Sequence, residues 1–299
     1  MLDAADEQEL SRLLPTKTSA TPGAPTQPAG RITRISADSV PRQALTDLIH
    51  GAKLFDMWSR FALYDIRQRF RRSLLGPFWL TLSMGVMVGA MGLVFSTLFQ
   101  QDVGKTVPYI ATGLIFWGLL TSTINEGATV FISAESYIRN VPMPLSVHYY
   151  RMLARNVIIW AFNMAIYFCV LLVFRITPGW NILLFIPGFA LFLINLAWIS
   201  LAAAVLSTRF RDVPQVILNV IQVVFFITPV FWSPESLPRR PVFVMLNPFH
   251  HLLELVRAPL LGSTAPAMSW WLCLAMTVVG LGFTAWLYRR SHARIAYWV

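Results

Sequence analysis

The sequence predicts an all-α integral membrane protein with six transmembrane helices, a cytoplasmic amphipathic helix before the first, and a re-entrant helical hairpin between the fifth and sixth. Three observations predict it. Ser73 to Gln101 carries no charged side chain and follows directly on Arg67, Arg69, Arg71 and Arg72, and it exceeds the roughly 20 apolar residues that a helix needs to cross a bilayer of about 30 Å. The chain is 56% hydrophobic and only 13% charged, with a mean hydropathy of +0.58, which sets it apart from an ordinary soluble domain. Finally, the connections between the predicted spans divide the basic residues very unevenly, as membrane topology requires.

The elements follow in order. Residues 1–45 scatter Pro15, Pro22, Pro25, Pro28 and Pro41 among Thr, Ala and Gln; such a segment buries too little apolar surface to offset its ordering entropy and is expected to be a disordered cytoplasmic tail. Its acidic start, with no apolar stretch after it, is not expected to be a signal peptide. From 46 to 72, Leu48, Phe55, Trp58, Phe61, Leu63 and Phe70 recur at helical spacing among Lys53, Arg60, Arg67 and Arg69. A basic amphipathic helix with Trp and Phe suits the headgroup layer, in contact with membrane lipid.

Six spans follow, about 75–99, 108–133, 152–174, 181–207, 214–233 and 269–288. With the amino terminus inside, fourteen basic residues from Lys53 to Arg294 fall on the cytoplasmic side and five, Lys105, Arg175, Arg239, Arg240 and Arg257, on the other. Both termini are therefore expected in the cytoplasm. The exterior connection 234–268 holds an apolar piece, Pro241 to Leu253, too short to span. Asn247-Pro248 breaks it before a second piece, Leu252 to Leu261. Such a broken pair is tolerated at membrane depth only where protein or a cavity satisfies its backbone.

The net charge of +10 resides mostly in arginine, 21 of 24 basic residues. With no soluble Lys-rich surface it is assigned to topology and headgroup contact, and a nucleic-acid partner is excluded. Gly104-Lys105-Thr106 is not a phosphate loop, because position 99 is Phe where that motif needs Gly; it is expected to be an exterior turn. No cofactor is expected on this chain, and Cys169 and Cys273, inside apolar runs, are expected to be buried free thiols. Glu126, between Asn125 and Gly127, is a carboxylate within a span. A polar cavity, a partner, protonation or an interhelical hydrogen bond would each account for it. His250, His251, Glu254 and Arg257 resemble a metal or acid–base site, but with no third ligand set elsewhere the favoured reading is i,i+3 pairing, His251 with Glu254 and Glu254 with Arg257, that stabilises a short helix. Between the second and third spans, Glu135, Ser136, Tyr137, Ile138, Arg139 and Asn140 form a short helical stretch, and Pro142 and Pro144 prevent its continuation. A rigid helix there is placed to carry a push from a partner to both spans.

In sequence, Arg69-Phe70-Arg71-Arg72-Ser73-Leu74-Leu75-Gly76-Pro77-Phe78-Trp79, Tyr137 to Pro144, Arg209-Phe210-Arg211-Asp212-Val213, Thr228-Pro229-Val230, Asn247-Pro248 with Arg257, and Arg294-Ile295-Ala296-Tyr297-Trp298 resemble the type-2 ABC export permeases. The similarity is to the polysaccharide-export branch, nearest the O-antigen exporters, with capsule and teichoic-acid exporters related. The proline-rich extension departs from that pattern. The resemblance implies a homodimeric permease that moves a lipid-linked polysaccharide across the bacterial inner membrane, with ATP and Mg on two copies of a separate ABC ATPase. It implies ATPase contact through the helix before the first span, with Trp58, Arg60, Arg67 and Arg69, and through Glu135 to Asn140. Phe78, Trp79, Tyr109, Phe116, Trp117, Asn125 and Glu126 become candidates for the channel lining, and Asn247, Pro248, His251, Glu254 and Arg257 for an exit gate. The alternatives are a capsule or teichoic-acid permease, a membrane-embedded transferase resting on Glu126 and the His250–Arg257 group, or a proton-coupled transporter, which would want more buried ionisable groups and an internal repeat.

Overall fold

The computed structural model describes residues 40–73, 75–234 and 242–299. Most of the expected tail and Pro241 lie outside the described residues. Every regular element within them is helical. α1 (Val40–Lys53) and α2 (Phe55–Arg69) precede α3 (Phe78–Leu98), α4 (Val103–Ser133), α5 (Glu135–Asn140) and α6 (Leu145–Phe174). A 3-10 turn (Gly179–Leu184) leads into α7 (Phe185–Arg209), followed by α8 (Val213–Ile227), α9 (Val242–Leu246), α10 (Pro248–Leu260) and α11 (Ala267–Trp298).

Among the described residues, five helical segments are long and apolar enough to cross a membrane: Phe78–Leu98, Val103–Asn140, Leu145–Phe174, Gly179–Arg209 and Ala267–Trp298. α4 is the central one. Its apolar window is 78% buried, against 17–22% for the other four, and it packs on α3, α6, α7, α8 and α10. Phe116 of α4 anchors the larger core, ringed by Trp160, Phe185, Phe189 and Phe192 at 5.5–6.1 Å between centroids; aromatic rings favour such tilted and edge-on contacts. A second core forms around Ala44, Phe131, Tyr149, Met152, Tyr288 and Ile295.

Several boundaries differ from the sequence expectation. α1 starts at Val40, within the expected tail, and the predicted single helix 46–72 is two helices parted at Leu54, where ψ is 41°. The second span begins at Val103 rather than 108, because the Asp102 carboxylate caps it by accepting from Gly104 N at 3.0 Å; a side-chain acceptor there satisfies one of the orphan amides of a helix start. Gly104-Lys105-Thr106 is thus part of a helix, not an exterior turn. The predicted fifth span, 214–233, is α8, whose 15 residues end at Ile227. Thr228 precedes Pro229 and takes an extended ψ of 133°, as the ring of a following proline demands. The last helix outruns its predicted end, continuing through Arg289 and Arg290 to Trp298. Cys273 is buried as expected, whereas Cys169 is exposed.

Candidate functional site

Polar side chains gather at two levels along α4, around Tyr109 and around Glu126. Seventeen residues at 1.5 Å each put these levels about 26 Å apart.

At the Tyr109 level, the end of α8 leaves carbonyl groups with no helical partner. Arg257 of α10, only 1% exposed, supplies the missing donors. Its Nη1 donates to the Pro229 carbonyl at 2.8 Å and its Nη2 lies 3.5 Å from the Val230 carbonyl. Tyr109 donates its hydroxyl to the same Pro229 carbonyl at 3.1 Å, and its ring lies 4.0 Å beneath the guanidinium. A desolvated cation over an aromatic face is attracted by the ring quadrupole. Glu254 stands 3.5 Å from Arg257, as the i,i+3 reading expected. Asn247 caps α10 by accepting from Phe249 N at 2.9 Å and donates to Thr228 Oγ1 at 2.8 Å. His251 does not turn to Glu254. Its Nε2 donates to the Met245 carbonyl at 2.8 Å, and its Nδ1 shares a hydrogen bond of 2.9 Å with Ser269 Oγ. Both ring nitrogens are used, and among the described residues no group of His, Cys, Asp and Glu is arranged to hold a metal ion. Two cavities adjoin this node. One, of about 580 Å³, is lined by Asp102, Lys105, Tyr109 and Phe231. The other, of about 410 Å³, is lined by Tyr109, His250, His251, Glu254 and Arg257.

At the Glu126 level, Arg155 of α6 donates from Nη2 to Glu126 at 2.8 Å and from Nη1 to Asp65 of α2 at 2.9 Å. Arg151, one turn away, donates from Nε to Asp65 at 2.7 Å and also from Nη2. Asn156 adds a bond to Glu126 at 2.9 Å. Of the accounts open for Glu126, a charged partner, an interhelical hydrogen bond and an adjoining polar cavity are observed. A cavity of about 320 Å³ lined by Glu126, Tyr137, His148, Arg151 and Arg155 opens beside it.

α1 is fixed next to this level by Asp47, which accepts from the Leu145 and Ser146 amides at 2.9 and 3.1 Å. Pro144 offers no side-chain cap, so a residue nearly a hundred positions away caps α6 instead. Tyr288 donates to the same carboxylate at 2.8 Å, and His292 Nε2 lies 3.6 Å away. Burial would raise this carboxyl, but His292 together with hydrogen bonds from Tyr288 and Ser146 holds it below the ordinary carboxylate range.

The sequence-predicted residues are thus distributed over distinct environments. Glu135 to Asn140 do form a helix of their own, with Tyr137 exposed. Arg139 pairs with Glu135 at 2.9 Å and donates to the Val299 carbonyl at 2.9 Å, while Arg211 donates to the Trp298 carbonyl at 3.1 Å. On α2, Arg60, Arg67 and Arg69 are exposed, and Trp58 packs on Phe55 and Tyr150 at 4.7 and 6.0 Å. The channel candidates separate. Phe78 and Trp79 are 63% and 54% exposed on α3, whereas Phe116 and Trp117 are core residues; Tyr109 joins Arg257, and Asn125 turns a buried Oδ1 to no partner. The exit-gate candidates Asn247, His251, Glu254 and Arg257 do converge, with Pro248 in the first turn of α10. Sequence reasoning missed Asp47, Asp65 and Asn156, and took Arg151 and Arg155 for topology charges alone.

A family model described as ABC-2 type transporter matches residues 61–261, a stretch containing both polar levels. The O-antigen export system permease protein RfbA of Myxococcus xanthus is 20% identical over 197 residues, 65% of this chain and 76% of that protein. A protein of the same name from Klebsiella pneumoniae is 21% identical over 237 residues, 76% of this chain and 90% of its own length.

Proposed function

This chain belongs to the ABC-2 type transporter family, and we propose that it is the membrane-spanning subunit of an exporter for a lipid-linked polysaccharide of the O-antigen type. The observation that carries this reading is the similarity to O-antigen export permeases along most of their length. In this reading two copies of the chain form the path across the bacterial inner membrane, and two copies of a separate ABC ATPase bind ATP and Mg and supply the work. α2 and α5 meet those ATPases from the cytoplasmic side, each offering exposed side chains: Arg60, Arg67 and Arg69 on one, Ser136, Tyr137 and Asn140 on the other. The Arg257 node at the far level lies toward the exit.

The test is made in the cells of origin. Deleting the gene should strip long-chain polysaccharide from the cell surface while lipid-linked chains accumulate inside, detected by immunoblotting of intact cells against membrane extracts. Surface polysaccharide at the parental level after deletion would refute the reading. Purified without an ATPase, the chain should bind no labelled ATP analogue saturably.

A further inference from the structure

Two guanidinium groups and two carboxylates from three helices form one unbroken series. Arg151 and Arg155 of α6 both donate to Asp65 of α2, and the same Arg155 guanidinium reaches Glu126 of α4. The side chains are 11–33% exposed, with Asp65 the most enclosed, so these charges rely on their partners as well as on the adjoining cavities. Apart from these ion pairs α2 leans mainly on α6, with Trp58 against Tyr150 at 6.0 Å and Phe61 beneath the Arg151 guanidinium at 5.5 Å. Only Ala62 and Ile66 of that helix are buried, while Phe55, Leu63 and Tyr64 stand exposed. α4 is held firmly at the same height. A Cβ on Gly127, the neighbour of Glu126, would stand 2.6 Å from Ser200 Cβ of α7, and Tyr149 of α6 shares a hydrogen bond of 3.0 Å with that serine. A displacement of α2 therefore pulls through Arg155 on a helix pair that cannot yield locally, because packed interiors are close to crystal density.

We propose that Asp65, Arg155 and Glu126 are positioning residues of the transport cycle, in which the forked Arg155 guanidinium ties α2 to α4, so that a movement imposed on α2 reorients the central span. This rests on the reading that α2 meets a partner ATPase. Planarity matters here. Arg155 serves two carboxylates from two nitrogens of one rigid group, whereas a lysine is a single point charge.

The experiment uses the full-length permease in lipid nanodiscs, alone and with the ABC ATPase that co-purifies with it from the source cells. It reads amide exchange in α2 and ATP hydrolysis stimulated by lipid-linked glycan extracted from the source cells. Asp65→Asn should speed exchange in α2 about tenfold, since it releases that helix from both arginines. Glu126→Gln should leave α2 exchange within about twofold of the parent, because Asp65 keeps its arginines, yet abolish the stimulation. Arg155→Lys, which keeps the charge and assembles with the ATPase, should also abolish it, and that shared loss separates the tie from any contact of Glu126 with substrate. Parental stimulation in Arg155→Lys or Glu126→Gln, or unchanged α2 exchange in Asp65→Asn, would overturn the proposal. A parent permease that binds no ATPase would refute the functional reading instead, and α2 exchange would still decide whether the tether exists.

Discussion

Asp47 illustrates how much one carboxylate does in this protein and how little of it shows in the sequence. Nothing in the sequence around it singles it out, yet it caps α6 and receives Tyr288 and Ser146. Its partners come from positions near 145 and near 290, a convergence that helical spacing within α1 does not reveal. Arg151 and Arg155 were hidden for a different reason, because a positive charge beside a span already has a topological explanation. Arg257, Asn247 and Thr228 were visible as motif residues, but that they meet one another was not. A carboxyl held below its ordinary value contributes stability that is complete above the unfolded pKa of about 3.9 and is lost as the pH falls through the lower folded value. Asp47→Asn should therefore lower the thermal midpoint in detergent at pH 7, by the equivalent of about 1–3 kcal/mol for a charged acceptor removed from buried donors. The gap to the parent should close toward pH 3. A gap that stays constant from pH 7 to pH 3 would show that the charge of Asp47 contributes nothing.

Helices as units were more legible than single contacts, because long uncharged runs announce themselves, and their ends were the less legible part. The cap at Asp102 and the break at Thr228-Pro229 depend on one or two residues, whereas a hydropathy run blurs over several. Packing between elements is set by similar details. Gly280 of α11 lies under the indole of Trp198 on α7, where an added Cβ would stand 2.1 Å from a ring carbon, yet two residues on, Gly282 has open space. Both glycines look alike in sequence. Gly280→Ala should destabilise the α7–α11 pair by about 1–3 kcal/mol, the usual cost of overpacking, because the half-buried indole is held in place by its Nε1 donating to Asn195 Oδ1 at 2.9 Å. Gly282→Ala should be neutral or stabilising by up to about 1 kcal/mol, as alanine replaces glycine in a helix. Thermal unfolding of the two variants side by side checks this, and equal effects would show that the close approach at Trp198 is not a constraint.

At the scale of the molecule the parity of the crossings turns on α8, since among the described residues five helical segments reach spanning length and α8 is shorter. Fifteen residues give about 22 Å of helix, short of a hydrocarbon core of about 30 Å. The chain nevertheless stays apolar beyond Ile227 through Val230, Phe231 and Trp232. Broken backbone is admissible at membrane depth only if its polar groups are satisfied by protein or a cavity, and the break after α8 meets that condition. Arg257 and Tyr109 take the Pro229 carbonyl, Arg257 approaches that of Val230, and Asn247 bonds Thr228 Oγ1. An arginine this buried is costly unless it is bonded, and its placement over those carbonyls makes sense if they lie away from water. The uneven split of basic residues demands the same parity, because a crossing by α8 keeps Arg289, Arg290 and Arg294 with Arg209 and Arg211 on one side. We therefore expect α8 and its broken end to cross, giving six crossings with both termini in the cytoplasm. In a background carrying Cys169→Ala, Thr264→Cys should react with a membrane-impermeant maleimide in intact spheroplasts. Tyr297→Cys, at a site 87% exposed, should react only after permeabilisation. If α8 instead lies along the surface, every segment after it is inverted, and the two positions exchange their behaviour: Tyr297→Cys labels from outside and Thr264→Cys is protected.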